Sequence, residues 1–239
     1  HIELFTFHFI LFQRKHPCPP THTAPAWRAV ERGLPLQAAP QYGIMQAGPA
    51  CPLAGWERSV NGGSAMDLLN LLLSRRSIRR YTESPIPQRA LETILAAGLL
   101  SPSSRGRRPW EFVVVQNPKT LEALSHCRQG SAAMLSGAKA AILVFADPEK
   151  TDVWTEDCAI AMSNMHLMAH HLGLGSCWIQ GRLRQAEDGT STEAFCRALL
   201  SVPARYTLEA ILSLGFPAIQ PESHSLEDLP REKIHWDTF

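Results

Sequence analysis

The sequence predicts an α+β domain, a mixed sheet flanked by helices, running from Met66 to Phe239. Three observations carry this. Two runs, Glu111-Phe112-Val113-Val114-Val115 and Ala140 to Ala146, have the β-branched, apolar character of buried strands. Helix-length segments stand between and around them without a strict repeat. Before Met66 the chain is rich in Pro, Gly and Ala and has no sustained period of 3.6 or 2.

The elements follow in order. Leu68, Leu69, Leu71, Leu72 and Leu73 make a short apolar helix that ends in a basic run. Pro85 and Pro87 punctuate the chain, and a second helix places Leu91, Ile94, Leu95 and Leu99 on one face. After the first strand, Asn117-Pro118 is a helix start, a capping side chain followed by a residue with preset φ. A long helix from Thr155 to Leu172 stops at Gly173. Gly175 to Gln180 reads as a third strand, Thr192 to Leu200 as a helix and Leu208 to Leu214 as a last strand.

Residues 1–65 read as an irregular, disordered or non-native extension. Asn61-Gly62-Gly63-Ser64 has the look of a translated purine-rich ribosome-binding site, with Met66 as the natural start. The chain carries a net charge of +1, from 23 basic and 22 acidic residues, so there is no electrostatic reason to expect nucleic acid. No apolar run approaches the ~20 residues that span a bilayer, so no membrane partner is expected. The six cysteines form no C-x-x-C pair and read as reduced, buried thiols of a cytoplasmic protein.

Arginine is concentrated. Of the 14 arginines after Met66, seven lie in segments 75–80 and 105–108. Guanidinium groups beside serine hydroxyls suit a phosphate monoester, because Arg stays charged and offers paired planar donors. A solvated basic surface is the alternative. His166, His170 and His171 lie about one turn apart, a spacing that can bind zinc. There is no H-E-x-x-H, and packing of these histidines with Met162, Met165 and Met168 is the preferred reading. Glu156-Asp157 read as first-turn acids favoured by the helix dipole. Ser103 and Ser104 lack a nucleophile elbow, and Gly173-Leu174-Gly175 is no dinucleotide fingerprint, so neither hydrolysis nor a Rossmann domain is indicated.

Five blocks together resemble the nitroreductase family. They are Arg75-Arg76-Ser77-Ile78-Arg79-Arg80-Tyr81 with Pro85-Ile86-Pro87; Ser101 to Phe112, similar to that family's P-S-x-x-N-x-Q-P-W-x-F loop; Gly173 to Gln180; Leu214-Gly215-Phe216-Pro217-Ala218; and Leu229-Pro230-Arg231-Glu232-Lys233. They fall in family order across nearly all of 66–239, whereas residues 1–65 match none of it.

The resemblance implies a largely antiparallel sheet and a homodimer with a helical interface and FMN sites shared between subunits. Arg75, Ser77 and Arg79 would hold the FMN phosphate and ribityl chain, with Arg76 close by. Arg231 and Lys233 would reach the same phosphate from the tail. Pro102, Ser103 and Ser104 would contact the flavin from the partner subunit. Trp178, Ile179, Gln180 and Gly181 would lie along the isoalloxazine ring, with backbone N–H groups facing N5. Gly106 and Arg108 replace the family's Asn and Gln, and Arg108 would add positive potential near the flavin.

The activity implied is transfer of electrons from NADH or NADPH to a nitroaromatic, a quinone or a similar small acceptor by a ping-pong mechanism. The flavin carries the chemistry and no side chain is catalytic. The short stretch between Gln180 and Thr192 offers no aromatic lid of the deiodinase kind, which favours a plain reductase. The alternatives are a non-catalytic FMN store or redox sensor, a fold relative with dehalogenating or dehydrogenating flavin chemistry, and a basic interaction module without cofactor.

Overall fold

The computed structural model describes residues 68–239. The extension expected over 1–65, with Cys18 and Cys51, lies outside the described residues, as does Met66 itself. The elements are α1 (Leu68–Ser74), α2 (Gln88–Leu99), β1 (Trp110–Val115), α3 (Pro118–Leu124), β2 (Ala140–Ala146), α4 (Trp154–His171), β3 (Gly175–Gln180), α5 (Thr192–Leu200) and β4 (Thr207–Gly215).

The four strands form one sheet in the order β1-β2-β4-β3, and every neighbouring pair is antiparallel. Among the described residues the single parallel element is an isolated bridge between Ser77 and Ser176. The alternation of side chains across the pleat supplies two cores. On one face Ile142, Val144, Leu212 and Leu214 pack with Leu91 and Ile94 of α2 and with Met162 and Met165 of α4. On the other, Leu143, Phe145 and Ile211 pack with Leu121 and Leu124 of α3 and Cys196 of α5.

Local chemistry explains the ends of these elements. Asn117 caps α3, its side chain accepting from the N–H of Lys119 at 2.9 Å and of Thr120 at 3.2 Å. Ser191 caps α5 through the N–H of Ala194 at 3.0 Å. Gly173 follows α4 at φ 75°, the left-handed value a helix stop requires. β2, β3 and α5 match their expected bounds, and the others differ by one residue or a few at an end. Cys127, Cys158, Cys177 and Cys196 are free and buried.

One departure from regular geometry matters below. Ala210 pairs with Val144 and Leu208 with Phe145, so Glu209 is an extra residue in β4, a β-bulge. Because the pleat has period 2, this switches the phase of the strand. Ala210, Leu212 and Leu214 face the α2/α4 core, whereas Leu208 falls into the other.

Candidate cofactor site

β3 is the last strand of the sheet, so one of its edges has no strand beside it. Gly181 donates to the carbonyl of Glu209 at 3.0 Å and thereby marks a hydrogen-bonded position of the β3–β4 ladder. Antiparallel pairing alternates. The main-chain groups of Ser176, Trp178 and Gln180 therefore point away from β4, toward the edge. Ser176 confirms the phase: its carbonyl accepts from Ile78 at 2.9 Å. Trp178 and Gln180 lie farther along the same edge, beyond the reach of that short pairing.

The arginine segment enters here. Residues 75–82 cross the start of β3 and the end of β4, pinned by Ile78 to Ser176, by Thr82 to the carbonyl of Phe216 and by Ala218 to the carbonyl of Arg80. The crossing is close because Gly175 and Gly215, paired opposite one another, carry no side chains. A Cβ on Gly175 would stand 2.6 Å from Ile78, and one on Gly215 2.7 Å from Tyr81. The Tyr81 hydroxyl donates to the carbonyl of Ile78 and meets Ser213 Oγ, each at 2.7 Å.

Arg75 and Arg76 are half-buried, and Arg79 and Arg80 are exposed. Among the described residues none of the four forms an ion pair with a carboxylate. Arg75 instead donates from Nη1 to Nε2 of His166 at 2.9 Å. A guanidinium cannot accept, so the His166 proton sits on Nδ1 and is donated to Ser176 Oγ. Burial, then the charge of Arg75, pushes His166 down to about 4, so the ring is neutral. His170 is lowered for the same two reasons and meets Ser74 Oγ at 2.9 Å. The expected histidine packing thus includes a specific task, the neutral support of Arg75. No cluster of His, Cys, Asp or Glu suited to a metal ion occurs among the described residues.

Ser77, Arg79 and Arg75 also converge on Cys177, whose thiol is raised by burial despite their influence and stays protonated. Arg76 donates to the carbonyl of Glu222, and the N–H of His224 bonds the carbonyl of Leu73. The tail therefore begins beside the arginine segment. Arg231 and Lys233 lie farther on, exposed on a short 3₁₀ turn.

At the end of β3, Trp178 Nε1 donates to Gln180 Oε1 at 2.9 Å, and Gln180 Nε2 donates to Glu209. The N–H of Gly181 is taken by the Glu209 carbonyl, whereas that of Gln180 faces the edge. Ile179 lies the other way: its side chain is buried in the second core.

The serine loop joins α2 to β1. Arg105, Gly106 and Arg108 take φ of 51°, 66° and 46°, a left-handed cluster that glycine eases only at 106. Ser103 Oγ accepts from the N–H of Arg108 at 2.9 Å, and the N–H of Ser104 donates to Asp157 at 2.8 Å. Asp157 is 3% exposed, so it anchors the loop and is not merely a surface acid for the helix dipole. Pro102 and Arg108 are exposed. Sequence reasoning missed His166 as a partner of Arg75 and the inward acids Asp157 and Glu209. The available signal for Glu209 was a lone carboxylate in an apolar strand, Leu208-Glu209-Ala210-Ile211-Leu212.

Guanidinium groups without carboxylate partners among the described residues, beside open main-chain donors on an antiparallel α+β scaffold, are an arrangement suited to a phosphorylated, hydrogen-bonding ligand. Comparison with known proteins gives the particular family. The sequence model of the nitroreductase family matches residues 72–129 and 122–216. A solved structure of an FMN-dependent nitroreductase from Clostridium difficile R20291 is 43% identical, with a TM-score of 0.70, over 72% of this chain and 99% of that one. A Methanothermobacter thermautotrophicus protein, provisionally assigned as an NADH dehydrogenase/NAD(P)H nitroreductase, is 35% identical over 74% of this chain and 90% of its own. An NADH dehydrogenase of Thermus thermophilus is 25% identical over 71% of this chain and 95% of its own. The chain belongs to the nitroreductase family and is an oxidoreductase.

Proposed function

We propose that the protein binds FMN along the β3 edge and passes electrons from NADH or NADPH to a small oxidised acceptor, a nitroaromatic or quinone, by a ping-pong mechanism. The observation that carries the reading is the set of four arginines at 75–80 without carboxylate partners among the described residues, beside the open edge of Trp178 and Gln180. A partly buried cation is costly unless compensated, and a phosphate dianion compensates it. The similarity to the FMN-dependent nitroreductase of C. difficile supports the same choice.

Arg75, Ser77 and Arg79 hold the phosphate, with Arg76 alongside and Arg231 and Lys233 approaching from the tail. The Gln180 N–H and the Trp178–Gly181 stretch line the ring. Bound FMN supplies hydride acceptance and donation. The chain's own residues bind, orient and exclude water: His166 keeps Arg75 in place without adding a second charge, and preorganised N–H donors favour negative charge. No side chain transfers a proton in this scheme.

Pro102, Ser103, Ser104 and Arg108 contribute from a partner subunit of a homodimer. Apolar side chains left on the surface of α1 and of the tail support the dimer; Leu68, Leu69, Leu229 and Ile234 are exposed and Trp236 is 84% exposed. Among the described residues no helix is long and apolar enough to cross a membrane. We place the active protein in the cytoplasm, and the domain's start at Met66.

The test is the visible spectrum of the full chain after exhaustive buffer exchange and incubation with FMN. Flavin bands at about one per chain, bleached anaerobically by NADH or NADPH and restored by a quinone, are expected. A chain that retains no flavin would overturn the reading. Flavin that reduced nicotinamide leaves oxidised would replace the enzyme with a store or sensor.

A further inference from the structure

Glu209 does more at the end of β3 than any neighbour. Its carbonyl accepts three hydrogen bonds, from the N–H of Gly181 at 3.0 Å, the N–H of Arg182 at 2.9 Å and Gln180 Nε2 at 3.2 Å. Its carboxylate accepts from Gln180 Nε2 at 3.1 Å through Oε1 and faces Arg182 Nε at 3.8 Å through Oε2. Arg182 in turn lies over the ring of Trp154, 5.9 Å from its centroid. Trp178 fixes the far side of the Gln180 amide. One residue therefore organises Gln180, Gly181 and Arg182 together.

This placement is unusual for an acid. Glu209 is 4% exposed, and its Oε2 has no hydrogen bond. The bulge is what makes the arrangement possible: Ala210 faces one core and Leu208 the other, so the extra residue between them sends its side chain to neither, and the carboxylate lies beside Gln180 and Arg182 at the end of β3. Burying a carboxylate with an unfilled oxygen is costly. A site that depends on the position of its donors gives that cost a use.

We propose that Glu209 is a positioning residue of the cofactor site, locking the corner Gln180–Arg182 so that the Gln180 N–H is aimed along the sheet edge. It acts through Gln180 and Arg182 and touches no reacting atom. The inference rests on the cofactor reading above.

The test uses the full chain with two substitutions. Glu209→Gln keeps the volume and an acceptor for Gln180 but removes the negative charge; Glu209→Ala removes every side-chain contact. FMN affinity is read by titration of flavin fluorescence, the ratio of reduced to oxidised flavin by equilibration with redox dyes at pH 8, and folding by thermal melting. For Glu209→Ala we expect a loss of FMN affinity of about tenfold. For Glu209→Gln we expect affinity within a few-fold of the parent. Its equilibrium should shift about tenfold toward reduced flavin, because a nearby anion no longer opposes negative charge on the ring; that is ~30 mV for a two-electron couple. If Glu209→Ala does not fold, Glu209→Gln carries the test alone. Parental affinity and redox equilibrium in every folded variant would overturn the proposal while leaving the cofactor reading intact. Failure of the unsubstituted chain to take up FMN would instead remove that reading.

Discussion

Nε2 of His166 accepts a hydrogen bond from Nη1 of Arg75 at 2.9 Å, across 91 residues of sequence. The bond requires a neutral ring. His166 is 9% exposed, and its ionisation is depressed from 6.5 to about 4, first by burial and then by Arg75. The unfolded chain therefore takes up a proton before the folded one does. Stability is full above about pH 6.5, falls as the pH drops and levels off near pH 4. The loss is about 3 kcal/mol from this residue, with His170 adding in the same direction. Urea midpoints measured from pH 8 to pH 4 should show this slope. His166→Gln should flatten most of it; an unchanged slope would refute the assignment.

Arg79 is exposed and has no acid partner among the described residues, so its removal costs the fold little. Arg79→Gln should leave the melting temperature within a degree or two, yet weaken FMN by roughly tenfold, the loss of one charge-assisted contact. Titration at low and high salt checks this, and the gap between parent and variant should narrow as salt rises.

Gly215 lies under Tyr81 with room for a hydrogen and no more. Gly215→Ala should cost about 1–3 kcal/mol through displacement of Tyr81. It should also lower flavin content, because the arginine segment moves with that ring. Denaturant unfolding and the flavin-to-protein absorbance ratio measure the two effects. Loss of stability with full flavin occupancy would show that the segment's position is not critical.

Asp157→Ala removes the acceptor for the Ser104 N–H. The serine loop carries Arg105 and Arg107, both substrates for trypsin, in a strained left-handed stretch. Limited trypsin digestion should cut that loop several-fold faster in the variant, with α4 and the sheet unaffected. Equal rates would mean that the contact of Arg107 with the Lys150 carbonyl suffices to hold it.

How much of this was legible in the sequence depended on whether the signal was local. The cap at Asn117, the stop at Gly173 and the apolar run of β2 are properties of a few adjacent residues, and the elements lie where those residues put them. The order β1-β2-β4-β3 depends on pairings dozens of residues apart, which periodicity does not encode. The arginines were legible as a phosphate-binding pattern. Their lack of acid partners among the described residues was not, because that depends on where every one of those acids lies in the fold. His166 lay in plain view as one of three helix histidines, but only the crossing of residues 75–82 over β3 chooses it over His171. The bulge at Glu209 was hidden for another reason: a one-residue insertion relative to β2 shows in β4 itself only as a lone carboxylate in an apolar run.

An edge strand is a template for any other strand, and long, flat edges are where proteins stick to copies of themselves. β3 is protected by an unusual guard. A second copy laid along that edge would bring its own Arg75, Arg76, Arg79 and Arg80 against the same four charges. The groups that invite a phosphate thus also oppose edge-to-edge pairing of two β3 strands, by repulsion that weakens as the Debye length shrinks. Colloidal behaviour and ligand recognition in this protein are consequently set by the same four residues, and concentrated salt should erode both together.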